Sequence, residues 1–145
     1  MSKMPFATLL LFIASMATLG FADFATKQAS GRISPALGTL IYASSAMTVA
    51  LVWTVWTRAH APLVVSRAGV GWAVATGLAF GTFAGLLFFL FSHGVNLSLG
   101  APIIRLGGIA FAAVLGIIVL KEPFNLQSLS GFVLAALGIV LIATR

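Results

Sequence analysis

Long apolar runs alternate with short polar breaks along this chain. Met4–Ala22 is a charge-free run of 19 residues, Ile33–Thr57 of 25, Ala68–Ile104 of 37 and Pro123–Thr144 of 22. Arg105 separates the third of these from a further apolar run, Leu106–Leu120. A helix needs about 20 apolar residues to cross a hydrocarbon core ~30 Å thick. The 37-residue run is therefore too long for one crossing and too short for two complete ones. It contains "SHGVNLSLGAP", residues 92–102, whose Gly, Asn, Ser and Pro mark a turn. The pattern predicts five helices at about 5–26, 34–56, 70–91, 99–120 and 126–144. The alternation of apolar and polar residues that marks a membrane barrel is absent. Pro5, Pro35, Pro62, Pro102 and Pro123 all fall, on this division, in loops or in the first turn of a span. A proline costs little there, because the first turn's N–H groups have no intrahelical partner.

Composition makes lipid the solvent. The chain is 61% hydrophobic and 7% charged, against roughly 25% charged residues in soluble domains. A soluble domain of 145 residues has too much surface for its volume to hide that much apolar material. The expected fold is an all-α membrane protein, a single five-helix transmembrane domain over residues 1–145, placed in the inner cell membrane. The sequence pI near 11.5 would suit a nucleic-acid binder, but the eight basic residues are scattered and form no patch or stripe. They read as loop charge beside anionic headgroups. With no cysteine, disulfides and thiolate metal sites are excluded and the redox compartment stays open. "SKM" and the "GFA" before Asp23 mimic a cleaved signal. The run between them is longer than most signal cores and four more spans follow, so it is read as a retained span.

Five spans put the termini on opposite sides. The N-terminal side, side A, then holds Lys3, Arg58, Arg67 and Lys121, and side B holds Lys27, Arg32 and Arg145. Orientation normally follows a Lys/Arg excess on the cytoplasmic side. Four against three is hardly an excess. Three expectations stay open: one weakly specified orientation with the N-terminus inside, insertion both ways up with antiparallel pairing, or, as the least favoured, the N-terminus outside or different span positions.

Small residues recur every third or fourth position in three spans, a spacing that lets backbones approach closely in lipid. The third span has Ala73, Gly77, Gly81 and Gly85, the fourth Gly108, Ala112 and Gly116, the fifth Gly131, Ala135 and Gly138. The row of the third is expected to pack within the chain. That of the fifth suits either an internal or an intermolecular contact.

Arg105 is the one charge inside an apolar run. It shares a helical face with Ala101, Gly108, Ala112 and Gly116, opposite Ile103, Ala110, Val114 and Ile117. It lies ~9 Å deep in its span at 1.5 Å per residue. Charge in a span usually faces a cavity or a partner. Asp23, near the side B end of the first span, lies at a similar depth. Arg105 is thus either a structural ion pair with Asp23, a snorkelling side chain, or a cation lining a substrate cavity. Asp23 and Lys27 are four apart and form an interfacial i,i+4 pair, with a proton-coupling role for Asp23 as the sharper alternative. Tyr42, Ser45 and Trp53 share one face of the second span and could line a pocket, although Trp53 and Trp56 also suit the membrane interface. Glu122, beside Lys121 and Pro123, reads as an anchor. Trp72 and "LLFFLF" read as lipid-facing or packing residues. His60 and His93 lie on opposite sides of the membrane and cannot share a metal within one chain. No catalytic triad, phosphate loop or zinc spacing is present, so neither an enzyme nor a cofactor is expected.

"LKEPFNLQSLSGFVLAALGIVLI" resembles the signature of the drug/metabolite transporter superfamily, EamA type. Glu122 ends a span, a polar link follows, and Gly131 and Gly138 recur in the last span. "GAPIIRL" is similar to the start of the fourth span of such domains, and "GFADFATKQAS" to the end of their first, with Lys27 at the matching lysine. The resemblance covers nearly the whole chain. It departs at Tyr42, where many relatives have an arginine, and near Gly108 and Ile109, where they have a proline, so substrate preference does not carry over. Relatives often join two such domains, inverted to each other, in one chain. The resemblance therefore implies that two copies of this one would be needed, an inverted-repeat design with a site near the midplane.

These readings converge on a secondary transporter of a small metabolite or amphipathic compound, working by alternating access as an antiparallel homodimer. Arg105, Tyr42, Ser45 and Asp23 are the expected substrate-binding residues. The cationic Arg105 leans toward anionic or zwitterionic substrates. The absence of a mid-membrane acid in the first span argues against the cation exchange of small multidrug proteins. A lipid-carrier translocase, a non-transporting scaffold and a passive channel are the alternatives.

Overall fold

The computed structural model describes residues 5–121 and 125–144. It contains five helices: α1 (Phe6–Ala29), α2 (Pro35–His60), α3 (Arg67–Ser92), α4 (Leu97–Ile118) and α5 (Leu126–Ala143). No strand occurs among the described residues. Four helices, α1 to α4, are long and apolar enough to cross a membrane. This is an all-helical protein of multi-pass membrane character. With 18 residues, α5 is ~27 Å long at 1.5 Å per residue, slightly less than a hydrocarbon core.

Helix ends follow local chemistry. Ser34 accepts a bond from the Leu37 N–H (3.4 Å) and Pro35 follows at the first helical position, which together start α2. Ser66 does the same for α3 through the Gly69 N–H (3.1 Å). The helix α1 runs past its expected end to Ala29, because nothing breaks it before Gly31, whose φ of +82° favours glycine. Similarly, α2 continues to His60 and stops where Pro62 disfavours helical geometry at Ala61. With 26 residues, α2 is ~39 Å long, more than a hydrocarbon core ~30 Å thick needs. One expectation is corrected: Pro102 lies inside α4, beyond its first turn, because α4 begins at Leu97. There the missing N–H removes one intrahelical bond. Lys3, Glu122, Pro123 and Arg145 lie outside the described residues.

The chain falls into two compact units, Met1–Gly94 and Val95–Arg145. In the first unit α3 packs on both α1 and α2. The packing is confined to one end. Ala84, Leu87, Phe88 and Phe91 of α3 are buried, together with Asp23 of α1 and Gly38 of α2. These residues lie in the C-terminal parts of α1 and α3 and at the N-terminal start of α2, all on side B. Toward side A every residue from 9 to 22, 40 to 56 and 67 to 80 is exposed, whichever way it points.

The contact of α2 with α3 depends on glycine at two levels. A Cβ on Gly38 would lie 2.8 Å from two ring carbons of Phe88. One on Gly85 would lie 3.4 Å from the Thr39 hydroxyl oxygen. The expected internal packing of the α3 row stops there. Around Gly77 and Gly81 a Cβ would meet nothing within 4 Å, because α2 no longer covers this part of α3. In the second unit α4 packs on α5. A Cβ at Gly108, Gly131 or Gly138 would meet nothing within 4 Å, whereas Gly116 is buried.

Candidate functional site

Backbone polar groups in a bilayer must be satisfied internally, and hydroxyls benefit from the same rule. Ser15, Thr18, Ser44, Thr48, Thr54, Thr76 and Thr82 each donate to the carbonyl four residues back, at 2.8–3.0 Å. Tyr42 and Ser45 depart from this pattern. Among the described residues their hydroxyls make no hydrogen bond. Tyr42 is 39% exposed and Ser45 is exposed as well. At 100° per residue they continue the stripe of α2 that begins at Gly38. That stripe meets α3 at Gly38 and lies uncovered from Tyr42 onward. Trp53, on the same side of the helix, is 73% exposed toward side A, as an interfacial tryptophan would be.

Asp23 is the buried charged side chain among the described residues, at 7% exposure. One turn later Lys27 reaches across to α3. Its Nζ donates to the Phe91 carbonyl at 3.3 Å and lies 5.5 Å from the centroid of the Phe91 ring, within cation–π range. Phe91 itself is 2% exposed. One end of α3 therefore serves two neighbours: Phe91 meets α1 through Lys27, and Phe88 meets α2 through Gly38.

Arg105 belongs to the second unit. It lies on α4 and is half-buried. Of the residues on its face, Ala101 is half-buried and Gly116 buried, but Gly108 and Ala112 are exposed; on the opposite face Ile103, Ala110 and Val114 are exposed and Ile117 is half-buried. Asp23, Tyr42 and Ser45 belong to the first unit.

Three features escaped the sequence reading. Within "LLFFLF", Leu87, Phe88 and Phe91 are core and Phe89 is 53% exposed; the run is apolar all round, so periodicity could not sort its faces. The contact of Lys27 with a carbonyl of α3 is long-range and has no local signal. The third was open to view: an aromatic residue precedes each histidine by four. His60 Nδ1 donates to the Trp56 carbonyl at 2.7 Å with the rings stacked at 4.7 Å. His93 Nδ1 donates to the Phe89 carbonyl at 2.8 Å with ring centroids 4.2 Å apart. A carbonyl only accepts, so Nδ1 carries the proton in both. Both histidines thus cap helix C-termini.

Comparison of the chain with family models, with curated proteins and with solved structures gives no match in any of the three.

Proposed function

We propose that this chain is a secondary transporter of a small metabolite or amphipathic compound. It is built as an EamA-type domain of the drug/metabolite transporter superfamily with five membrane crossings. It works by alternating access as an antiparallel homodimer in the inner cell membrane. The observation that carries the reading is a carboxylate, Asp23, buried in a helix long and apolar enough to cross a bilayer. Ionisable groups are expensive at that depth and most often mark a substrate or ion path. Arg105, half-buried in α4, gives a second such group. Tyr42 and Ser45 add hydroxyls that make no hydrogen bond among the described residues.

Uptake into proteoliposomes of a panel of anionic, zwitterionic and amphipathic compounds tests this. Arg105→Ala and Tyr42→Ala are each expected to lower uptake at least about tenfold, the worth of one hydrogen bond to a charged or desolvated group. Uptake unchanged in both variants removes them from the site. No uptake of any compound removes the transporter reading. One observation favours a second reading, a lipid-carrier translocase: Tyr42 and Ser45 are open on the surface of α2, where a substrate could reach them from within the bilayer. Scrambling of a lipid-linked sugar in the same liposomes, without uptake of water-soluble compounds, would decide for it.

A further inference from the structure

The first unit is shut at one end and uncovered at the other. At side B, α3 seals against both neighbours through two aromatic rings, with Phe88 on Gly38 and Phe91 under Lys27. Beyond this seal all of residues 40–56 and 67–80 are exposed. We propose that the side B ends of α1, α2 and α3 form a gate, that the structure holds it closed, and that Lys27 is its latch. This rests on the transporter reading, for which it names the closing element.

The chemistry suits a contact that opens and recloses. Lys27 sits in the last turn of α1, at headgroup depth, where a lysine normally snorkels toward phosphates. Here the ammonium turns to the C-terminal end of α3, where the helix dipole also favours a cation. It therefore has two good environments, the α3 carbonyl with its ring, or the headgroups. The ammonium stays in a polar environment in either position. The Phe91 carbonyl is not orphaned either, since the Gly94 N–H also donates to it at 3.3 Å. On the α2 side, a flat ring lies against a glycine, a contact with no hydrogen bond to break. Gly31 and Gly94, at φ +82° and +88°, lie in the turns just behind the gate. A static structural plug would instead be expected to interlock large side chains. Lys27 acts through Phe91 and is a positioning residue.

The chain has no cysteine, so any introduced thiol is unique. The test uses the full chain in lipid nanodiscs carrying Thr39→Cys, at the half-buried level where α2 meets α3. Labelling by a small maleimide measures how often the gate opens. Lys27→Met keeps the stem and removes the donor, and should speed labelling at least about tenfold. Lys27→Arg should stay within about twofold of the parent. A Ser15→Cys thiol, exposed on α1, should label equally fast in all three backgrounds. Equal Thr39→Cys labelling in the Met variant overturns the latch.

A second measurement needs no change at Lys27. A Cβ at Gly85 would lie 3.4 Å from the Thr39 hydroxyl oxygen, so a Thr39→Cys/Gly85→Cys pair brings two thiols to the α2–α3 contact for oxidation. Oxidation should slow amide exchange of residues 36–40 and 87–91 at least tenfold, and reduction should restore it. Exchange that is already equally slow without the crosslink means a static plug and overturns the gate. Labelling and exchange as expected, with no uptake of any compound, would keep the closure and remove the transporter reading. Uptake with unchanged labelling and exchange would do the reverse.

Discussion

Gly38 and Gly81 look alike in the sequence, each a glycine in an apolar helix. Their surroundings differ. The Cβ of Gly38→Ala would press to 2.8 Å on the ring of Phe88, itself only 6% exposed and unable to swing away. Overpacking of this kind costs about 1–3 kcal/mol. Gly81→Ala enters open space and gains up to ~1 kcal/mol of helix propensity. Thermal unfolding in detergent should therefore lower the midpoint for Gly38→Ala and hold or raise it for Gly81→Ala. A Gly38→Ala variant as stable as the parent would refute the close contact of α2 with α3. The same scale shows what could be read directly. The hydrophobic run around Phe88 was legible, but which of its rings is buried was not, since an all-apolar helix carries no face signal.

Among the elements, α4 carries the one described proline that falls outside its expected place. It starts early enough to enclose Pro102, and the chain beyond it turns through Lys121 at φ +54°. A side chain there sits in the left-handed region that glycine takes without steric penalty. Lys121→Gly should relieve about 1 kcal/mol and raise the denaturation midpoint. Lys121→Val, β-branched, should lower it. Equal midpoints for the two would show that the left-handed turn is not populated. The structure shows Ser34 and Ser66 starting α2 and α3; serine before a helical run has a local physical role, a signal that the reading by apolar runs passed over. The extra turns of α1 and α2 were not. Membrane thickness sets how much of a helix is apolar, whereas its end depends on where the next Gly or Pro stands.

For the whole molecule, the near balance of cations on the two sides, which five crossings would give, bears on the orientation in the membrane. Lys121→Gly also reduces side A from four basic residues to three, matching side B. Reporter tags at either terminus should show mixed orientation in the parent under the antiparallel model. Adding two lysines beside Arg32, on side B, should drive the population to one orientation with side B inside. A parent that is wholly of one orientation would exclude the antiparallel pair. Pairing itself can be read from Gly77→Ile. Its surroundings within the chain are open, so loss of a crosslinked dimer with unfolding unchanged would place the α3 row between copies. A dimer of undiminished yield would leave that row to lipid.

The residues by themselves determined the solvent, the helical class and the division into five apolar segments. These follow from charge-free length, from the absence of a barrel's alternation and from where Gly, Asn, Ser and Pro mark a turn, all of them local quantities. They also singled out Asp23, Arg105, Tyr42 and Ser45, because polar groups in apolar runs are costly wherever they fold. Only the tertiary structure decided which end of the first unit is sealed. It also decided that Lys27 turns to α3 as well as lying one turn after Asp23, and that the glycine row of α3 is covered at Gly85 and bare at Gly77. Those outcomes depend on which helices meet and at what level. Contacts between residues dozens of positions apart leave no periodic trace along the chain.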